Sequence, residues 1–583
     1  MKIFVDVIVP VHNAEETIEE TVKSAMSQSV PAYLLSSGGG DDDPSTTPCC
    51  DKSSVLDKYK RHPLNDVTID IAICCHNDGS TDSSLDLLYK LCDYKKEHNN
   101  EKQCENNRFK INTKILIGSN DDGIAKGAGA ARNRAASLRS QQCPVGNMDK
   151  QLYFLCLLDS DDVMHPHRIA HQVSVMMALV TEERNATLLG TTFDRIPKDS
   201  TWHYTHWANN LKDERLMLER FRELTILQPT WMMTKQRFEL LGGYIESSEL
   251  GGDALSRKKE VECNSVYKLI HPKYDTEQSL KLAEDLRIFH AHLSYPYGTE
   301  CSTEHRSGTL KLIRTVEPLL SYRHREGQSQ SSLTPRKLLL QLRTKAFADT
   351  IILRNEKWTK GGFIIWGAGR DGKDFFKALP EDLKECVRAF VDVDEKKIAS
   401  GYYSMAKEIE STIGQEKSEK KQKKKRECYK IPLVHFSLIA NDDDKRKELI
   451  EIWVNGRGDD EISGRITKQK HFNEKVQLCE EDIALPQKRR GDVDSITATA
   501  KKRPKKDVVN TDMIEKDILS KLLQRKVHAI PKKDVVNTDM IEKNILSKLP
   551  VVVCVAMNRT NGVLEANVKN IGRQEGINLW HLS

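Results

Sequence analysis

The sequence predicts an α/β protein with two successive α/β units. Apolar segments typical of buried strands alternate with amphipathic helical segments in residues 1–345, and the alternation starts again near Gly361. Polar or glycine-rich clusters follow several strands, at the edge where parallel sheets place their ligands. We therefore expect a first unit over residues 1–345 and a second over residues 361–439 and 550–583.

Length and charge narrow the class of protein. A chain of 583 residues is too long for one core, so it should form two or three domains. Its net charge of +5 is too small to indicate nucleic-acid binding. No apolar stretch is long enough to span a bilayer, and Asp6 interrupts the apolar N-terminus, which therefore predicts a strand rather than a signal peptide. We expect no membrane span and a cytoplasmic location. The basic runs at 488–490 and 501–506 permit nuclear import, although a charged linker explains them more simply.

The first unit opens with strands and helices in alternation. Asn13 should cap the first helix, with Glu16 as its capping-box partner. A second amphipathic helix runs through Leu85 and Leu91, and a third begins at Ala130. Residues 36–54 are of low complexity and predict a loop insertion. The predicted strands are residues 3–11, 67–75, 114–117 and 153–158.

The second unit repeats the pattern around a long insertion. Residues 440–549 are polar, and residues 504–522 recur almost unchanged at 531–549. Each copy predicts a short amphipathic helix, and two copies do not make a solenoid. We expect this insertion to be largely disordered. The predicted strands are residues 363–366, 388–392, 431–436 and 551–555, with a helix over 373–379.

An acidic cluster, Asp159-Ser160-Asp161-Asp162, follows the fourth predicted strand. Its three carboxylates repel one another unless a cation or a set of donors neutralises them. One interpretation is a divalent-metal site against a diphosphate. The other is a strand-to-helix loop whose acids cap a helix beginning near Val163, and the cluster alone leaves both open.

Each of three further clusters also has two possible interpretations when it is considered alone. The segment Asn77-Asp78-Gly-Ser-Thr-Asp82 could accept hydrogen bonds from a uracil or a ribose, or could be a turn. The segment Gly127-Ala-Gly129-Ala-Ala-Arg132 suits a phosphate or nucleoside, or close helix packing. The pair Glu284-Asp285 opens an amphipathic helix, either as helix-dipole partners or with one acid as a general base.

In their order and spacing these clusters resemble the motif set of inverting family 2 glycosyltransferases with a GT-A fold. The segments around Phe154–Met164, Gln228–Trp231, Ile364–Gly372 and the tail 574–583 are similar to the β-1,3-N-acetylglucosaminyltransferase-like protein 1 group. The resemblance implies a GT-A domain with a Rossmann-like mixed sheet. It also implies transfer of a sugar, N-acetylglucosamine by the group's name, from a UDP-sugar to a hydroxyl of an unidentified glycan, protein or small molecule. The alternative is a non-catalytic scaffold or sensor that binds a nucleotide sugar.

The resemblance also implies roles for individual residues. The nucleotide would be held by Asp78 at the uracil, by Gly129 and Arg132, and by Asp159 at the ribose or diphosphate. Asp161, together with Asp159, would bind Mn²⁺ or Mg²⁺, and Asp285 would be the catalytic base with Glu284 beside it. The family's late Tyr-Arg-x-His corresponds to Tyr322-Arg323-His324-Arg325, which departs from the pattern because the histidine comes one place early; His324 is the candidate diphosphate or metal contact. Asp162 is then left as the helix cap.

The second unit contains Gly367-x-Gly369-x-x-Gly372 after a strand, and the acidic Asp392 lies 20 residues further on. This spacing is typical of dinucleotide-binding Rossmann folds. The unit is short, however, and no hydride-transfer partner is evident near Gly367. We interpret it as a small Rossmann-like domain with a structural or regulatory role, and do not expect NAD(P) to bind there.

Overall fold

The structure, a computed structural model, divides into two compact units, Met1–Ala346 and Phe347–Ser583. The predicted loop insertion at 36–54 and nearly all of the polar insertion at 440–549, including its duplicated helices, lie outside the described residues. The residues described are 1–35, 61–97, 109–120, 122–142, 151–246, 267–271, 275–294, 311–325, 333–407, 428–439, 548–555 and 563–582.

The first unit is built on an eight-stranded mixed sheet. Its strands are β1 (Lys2–Val11), β2 (Val67–Asn77), β3 (Phe109–Ser119), β4 (Leu152–Leu157), β5 (Val163–Met164), β6 (Thr187–Ile196), β7 (Met232–Thr234) and β8 (Lys311–Arg323). They lie in the order β3-β2-β1-β4-β7-β6-β8-β5. The first four are parallel to one another, β7 is antiparallel to both of its neighbours, and β8 is parallel to β6. The predicted α/β class and its four strands are confirmed, whereas β5 to β8 were not predicted.

Both faces of the sheet are buried along β1, β2 and β4. Along β1, Val7 and Val9 belong to one hydrophobic cluster and Ile8 belongs to the cluster on the opposite face. Successive side chains of a strand point to opposite faces, so burial of both faces requires a continuous apolar run. The register aligns Val11 with Asn77 and Asn77 with Ser119, which brings the carboxyl ends of the first three strands to one edge.

Helices cover the sheet, and the first of them begins later than predicted. It starts at Ile18, with Thr17 rather than Asn13 before it. Asn13 has a positive φ of 48°, and its amide oxygen accepts the backbone N–H of Thr81 at 2.9 Å. Asn13 therefore joins two loops instead of capping a helix. The helices are α1 (Ile18–Met26), α2 (Ser84–Glu97), α3 (Ala128–Gln142), α4 (Arg168–Met177), α5 (Thr181–Asn185), α6 (Trp202–Asn210), α7 (Asp213–Leu218), α8 (Lys235–Leu240), α9 (Glu277–Leu280), α10 (Glu284–Ser294) and α11 (Arg336–Phe347).

An arginine near the end of α3 fixes this helix to the sheet. Asp6 is fully buried in β1, and Arg139 donates from Nε to its carboxylate at 2.5 Å. The same guanidinium contacts Asp70 of β2 at 2.8 Å. Arg132 precedes Arg139 by seven residues, so two helical turns place both side chains on the same side of α3. The anchoring of α3 at Asp6 and Asp70 thereby sets the position of Arg132.

The second unit contains a six-stranded sheet. Its strands are β9 (Phe363–Trp366), β10 (Val387–Asp392), β11 (Tyr402–Ala406), β12 (Cys428–His435), β13 (Val551–Val553) and β14 (Leu579–His581), in the order β11-β12-β10-β9-β13-β14. All neighbouring pairs are parallel except β11 with β12. This arrangement confirms the predicted second α/β unit. Its helices are α12 (Arg370–Ala378), α13 (Glu381–Lys384), α14 (Glu395–Ile398) and α15 (Val563–Asn570), preceded by π-helical turns at Ala348–Ile352 and Lys357–Gly361. In the part of the chain that the structure describes, no helix is both long and apolar enough to cross a bilayer.

Candidate active site

The acidic cluster lies directly after β4, and its third carboxylate anchors β8. Asp162 is fully buried, and its Oδ1 accepts the backbone N–H of Arg323 at 2.8 Å. The other oxygen, Oδ2, has no hydrogen-bond partner among the described residues. Burial raises the pKa of Asp162 well above its ordinary value, and the charges of Asp159 and Asp161 act in the same direction.

The expected helix cap at Asp162 is therefore wrong. Val163 and Met164 form strand β5, which pairs with β8, and the following helix begins only at Arg168. The residue before that helix, His167, makes no side-chain capping bond. The carboxylate is directed to β8 because the short β5 brings the loop against that strand.

Arg132 joins two acidic motifs that are far apart in sequence. Its Nη2 contacts Oδ1 of Asp159 at 2.6 Å, and its Nη1 contacts Oε1 of Glu284 at 2.9 Å. The guanidinium lies 5.5 Å from the centre of the Tyr244 ring. Although burial acts against its charge, the neighbouring carboxylates raise the pKa of Arg132, so it stays a cation. The predicted residues Arg132, Asp159 and Glu284 thus form one ionic bridge.

Asp285, next to that bridge, makes no ion pair among the described residues. Its Oδ1 accepts the backbone N–H of Leu286 at 2.7 Å, and the side chain is partly open to solvent. Burial and the adjacent Glu284 carboxylate raise the pKa of Asp285 to about 7, with a smaller contribution from Glu223. A carboxylate with this pKa can accept a proton near neutral pH, as a general base requires.

Asp78 holds the loop that leads into α3. Its Oδ1 accepts hydrogen bonds from the Asn120 side chain at 2.7 Å and the Lys126 N–H at 2.9 Å, and its Oδ2 accepts the Gly127 N–H at 2.7 Å. Gly127 has a φ of +100°, which favours glycine. These bonds give Asp78 a role in shaping the loop, and its contact with a uracil stays a prediction.

Gly129 lies where α3 approaches the rest of the site. A Cβ at this position would come within 3.1 Å of Tyr244 Cβ and 3.4 Å of Glu284 Cβ. The absence of a side chain at Gly129 therefore lets α3 and α10 approach each other, which keeps Arg132 within reach of Glu284. A direct contact of Gly129 with a nucleotide also stays a prediction.

Asp161 is paired with an arginine that lies two residues after the end of β8. Nε of Arg325 lies 3.2 Å from Oδ2 of Asp161, and Nη2 of Arg325 donates to Thr17 Oγ at 2.7 Å. Burial and the charge of Asp159 raise the pKa of Asp161 to about 6, whereas Arg325 acts to lower it. No sequence motif pointed to Thr17, whose hydroxyl also donates to the Ser160 carbonyl at 3.0 Å.

The structure does not bring His324 together with the two aspartates as a set of metal ligands. Its backbone N–H donates to the Ile196 carbonyl at 2.7 Å, and its ring makes no hydrogen bond or ion pair with the described residues. Over the same part of the chain, no group of three or more His, Cys, Asp or Glu side chains could hold a metal ion. Asp159 and Asp161 each use only one carboxylate oxygen in their ion pairs. Their other oxygens suit a hard divalent cation that takes its remaining ligands from phosphate and water.

In the second unit, internal contacts account for the glycine motif. Gly367 has a φ of +120°, and a Cβ at Gly372 would lie 1.9 Å from the Gly367 carbonyl oxygen. Asp392 accepts the Ala368 N–H at 2.9 Å, and both of its oxygens lie 3.2–3.3 Å from Lys397 Nζ. A close turn therefore explains Gly367 and Gly372 without a ligand, and Lys397 engages the acid that would bind a ribose in a dinucleotide site.

No protein-family model matches the chain. Among solved structures, the chain is similar to S. aureus TarS residues 1–349 in complex with UDP, with 14% identity over 66% of this chain and 84% of that one and a TM-score of 0.30. It is also similar to the same TarS fragment in complex with UDP-GlcNAc, with 13% identity over 68% of this chain and 86% of that one and a TM-score of 0.32.

Proposed function

We propose that the first unit is an inverting glycosyltransferase that moves a sugar from a UDP-sugar to an acceptor hydroxyl. The observation that carries this proposal is the bridge from Asp159 through Arg132 to Glu284, with Asp285 and its pKa of about 7 beside it. It joins an acidic loop suited to a diphosphate to a carboxylate suited to proton transfer. Membership of family 2 and N-acetylglucosamine as the sugar rest on the sequence resemblance and belong to the same proposal.

Each residue has a defined part in the reaction. Asp285 accepts the proton of the acceptor hydroxyl as its oxygen attacks C1 of the sugar. The bond from C1 to the diphosphate oxygen breaks on the opposite face, and its electron pair leaves with UDP, so the anomeric centre is inverted. Arg132 keeps Glu284 and Asp159 in place through its two ion pairs. Asp159 and Asp161 would hold Mn²⁺ or Mg²⁺, which when bound supplies positive charge to the leaving diphosphate.

The Asp78 carboxylate already accepts three hydrogen bonds within the protein, and Asp159 is paired with Arg132. These contacts also suit a second function. In this alternative the unit binds a nucleotide sugar as a sensor or scaffold without turnover. The two functions differ in one observable, since only the transferase releases UDP. Metal-dependent binding of UDP without release across a panel of acceptors would support the sensor.

The test is UDP release from a panel of UDP-sugars in the presence of Mn²⁺ and a mixture of glycan, protein and small-molecule acceptors. The wild-type chain should release UDP, with N-acetylglucosamine as the preferred sugar. Asp161→Ala and Asp285→Asn should each lower the rate by at least about 100-fold. Glu19→Gln is the matched control and should keep the wild-type rate, because Glu19 is exposed and, among the described residues, forms an ion pair with Lys23 alone. Undiminished turnover in both Asp161→Ala and Asp285→Asn would contradict the roles assigned to these residues.

A further inference from the structure

The Arg132 guanidinium is held at its two ends but not along its Nε edge. Its Nη2 contacts one oxygen of Asp159, its Nη1 contacts one oxygen of Glu284, and its Nε has no hydrogen-bond partner among the described residues. Neither contact is the paired, bidentate kind that fixes the plane of a guanidinium. The two bonds therefore leave the tilt of the guanidinium open. The Tyr244 ring lies against it, with 5.5 Å between the guanidinium carbon and the ring centre.

The backbone of Tyr244 is fixed by Asn133, the neighbour of Arg132 on α3. Oδ1 of Asn133 accepts the Tyr244 N–H at 2.8 Å, and Nδ2 donates to the Tyr244 carbonyl at 2.9 Å. The chain comes close to α3 just before Tyr244, since Gly243 has a φ of +66° and a Cβ there would lie 2.5 Å from Asn133 Oδ1. One turn of α3 thus carries the cation and also holds the ring that packs against it.

The hydroxyl end of the Tyr244 ring is fixed as well. Nε2 of the buried Gln228 donates to the Tyr244 hydroxyl oxygen at 3.0 Å. The Phe238 ring packs beside Tyr244, with the ring centres 5.9 Å apart. Tyr244 itself is only 1% exposed, so it does not reach a substrate. Any part that it has in the reaction must act through Arg132.

We propose that Tyr244 is a positioning residue of the transferase, whose immobilised ring holds Arg132 in the orientation that bridges Asp159 and Glu284. The inference rests on the proposed function and assigns a part to a residue that no sequence motif indicated. A guanidinium is attracted to an aromatic face by its charge and by stacking, and an aliphatic side chain offers neither. With leucine at position 244, Arg132 would be free to tilt away from one of its two carboxylates.

The orientation of Arg132 matters for the base beside it. Burial and the Glu284 charge raise the pKa of Asp285 to about 7, and the Arg132 charge opposes that rise. If Arg132 tilts away from Glu284, the Glu284 charge is less compensated and the pKa of Asp285 rises further. Loss of the Tyr244 ring should therefore change the pH at which Asp285 becomes an active base, which a loss of core packing alone would not do.

The pH profile of kcat/KM for UDP release from UDP-N-acetylglucosamine, with Mn²⁺ and the acceptor mixture, tests this inference. Tyr244→Leu should lower kcat/KM at pH 7 by about tenfold or more and move the midpoint of the profile upward by at least about 0.5 pH unit. Tyr244→Phe should keep the wild-type midpoint and a rate within about threefold of wild type, because the ring remains.

Two further variants separate positioning from folding. Asn133→Ala removes both hydrogen bonds to the Tyr244 backbone and leaves the ring in the chain, so it should move the midpoint upward by a smaller amount. Phe238→Leu is the matched control, since it removes a buried ring of the same core but not the ring that packs against Arg132. It should lower the melting temperature and leave the midpoint of the pH profile unchanged.

Three results would overturn the inference and leave the proposed function standing. The first is a folded Tyr244→Leu variant with the wild-type midpoint and a rate within about twofold of wild type. The second is an equal upward shift in Tyr244→Leu and Phe238→Leu, which would mean that the profile follows core packing in general. The third applies if Tyr244→Leu does not fold, and is a wild-type profile in Asn133→Ala. Absence of UDP release by the wild-type chain would overturn both this inference and the proposed function.

Discussion

Replacing Asp285 with Asn should stabilise the folded first unit at alkaline pH while abolishing its chemistry. Asn keeps the shape of the side chain and an oxygen for the Leu286 N–H, but it carries no charge. The rise in pKa from 3.8 to about 7 corresponds to about 4 kcal/mol of unfavourable free energy when the carboxylate is ionised. Because solvent partly screens this side chain, we expect Asp285→Asn to raise the free energy of unfolding by about 2–4 kcal/mol at pH 8.

The pH dependence has a definite sign. The folded chain binds the Asp285 proton more tightly than the unfolded chain does, so wild-type stability falls as pH rises from about 4 through about 7. The Asn variant lacks this titration. Its advantage over the wild type should shrink to about 1–2 kcal/mol at pH 5 and vanish near pH 4.

The assay is urea unfolding followed by circular dichroism at pH 5 and pH 8, with Asp275→Asn as a matched control. Asp275 lies 2.6 and 2.9 Å from the two Nη atoms of Arg287. Although burial acts to raise it, the hydrogen bonds of Arg287 lower the pKa of Asp275. Asp275→Asn should therefore destabilise the protein at pH 8, by about 3–5 kcal/mol. Equal stability of Asp285→Asn and wild type at both pH values would refute the conclusion that the ionised Asp285 carboxylate destabilises the folded protein.

Three more predictions follow from the same contacts. The kcat/KM for UDP release should rise about tenfold per pH unit below pH 7 and level off above about pH 8, because Asp285 must be ionised to act as a base; a flat profile would remove it from that role. Arg132→Met should lower the free energy of unfolding by about 3–5 kcal/mol and abolish UDP release, because it leaves the carboxylates of Asp159 and Glu284 without their cation. Unchanged thermal unfolding would contradict the ionic bridge. Gly372→Ala should lower the melting temperature of the second unit and reduce its free energy of unfolding by about 1–3 kcal/mol, because the added Cβ would lie 1.9 Å from a backbone carbonyl oxygen. Gly369→Ala is the control and should melt as the wild type does, since the nearest atom to its Cβ is Lys397 Cε at 3.8 Å. Equal melting temperatures for the two variants would argue against this packing.

Most of the parallel half of the first sheet could be predicted because β1, β2 and β4 are buried on both faces and contain long apolar runs. In β3, at the edge of the sheet, only Ile115, Leu116 and Ile117 form such a run, and this is why the prediction covered 114–117 rather than the whole strand. The other half could not be predicted in the same way. Strands β5 and β7 have only two and three residues, and their partners are fixed by pairing across the sheet rather than by a local pattern.

The sequence motifs predicted which acidic residues belong to the site, but not which residues bind them. Asp159 and Glu284 are far apart along the chain, and only the fold shows that Arg132 joins them. Asp162 was expected at a helix start because nothing local reveals a bond to the backbone of Arg323. One feature of the sequence does indicate how α3 contacts the sheet. Asp6 lies within a buried apolar run and therefore requires a cationic partner, which Arg139 of α3 provides.

In the proposed reaction, Asp285 accepts a proton during sugar transfer at a nucleotide-binding site. The most direct measurement compares UDP binding and UDP release by the wild-type chain and Asp285→Asn, with UDP-N-acetylglucosamine as donor and the acceptor mixture at pH 8. We predict that both proteins bind UDP with similar affinity and that only the wild type releases it from the donor. Equal rates of release by the two proteins would contradict this role of Asp285.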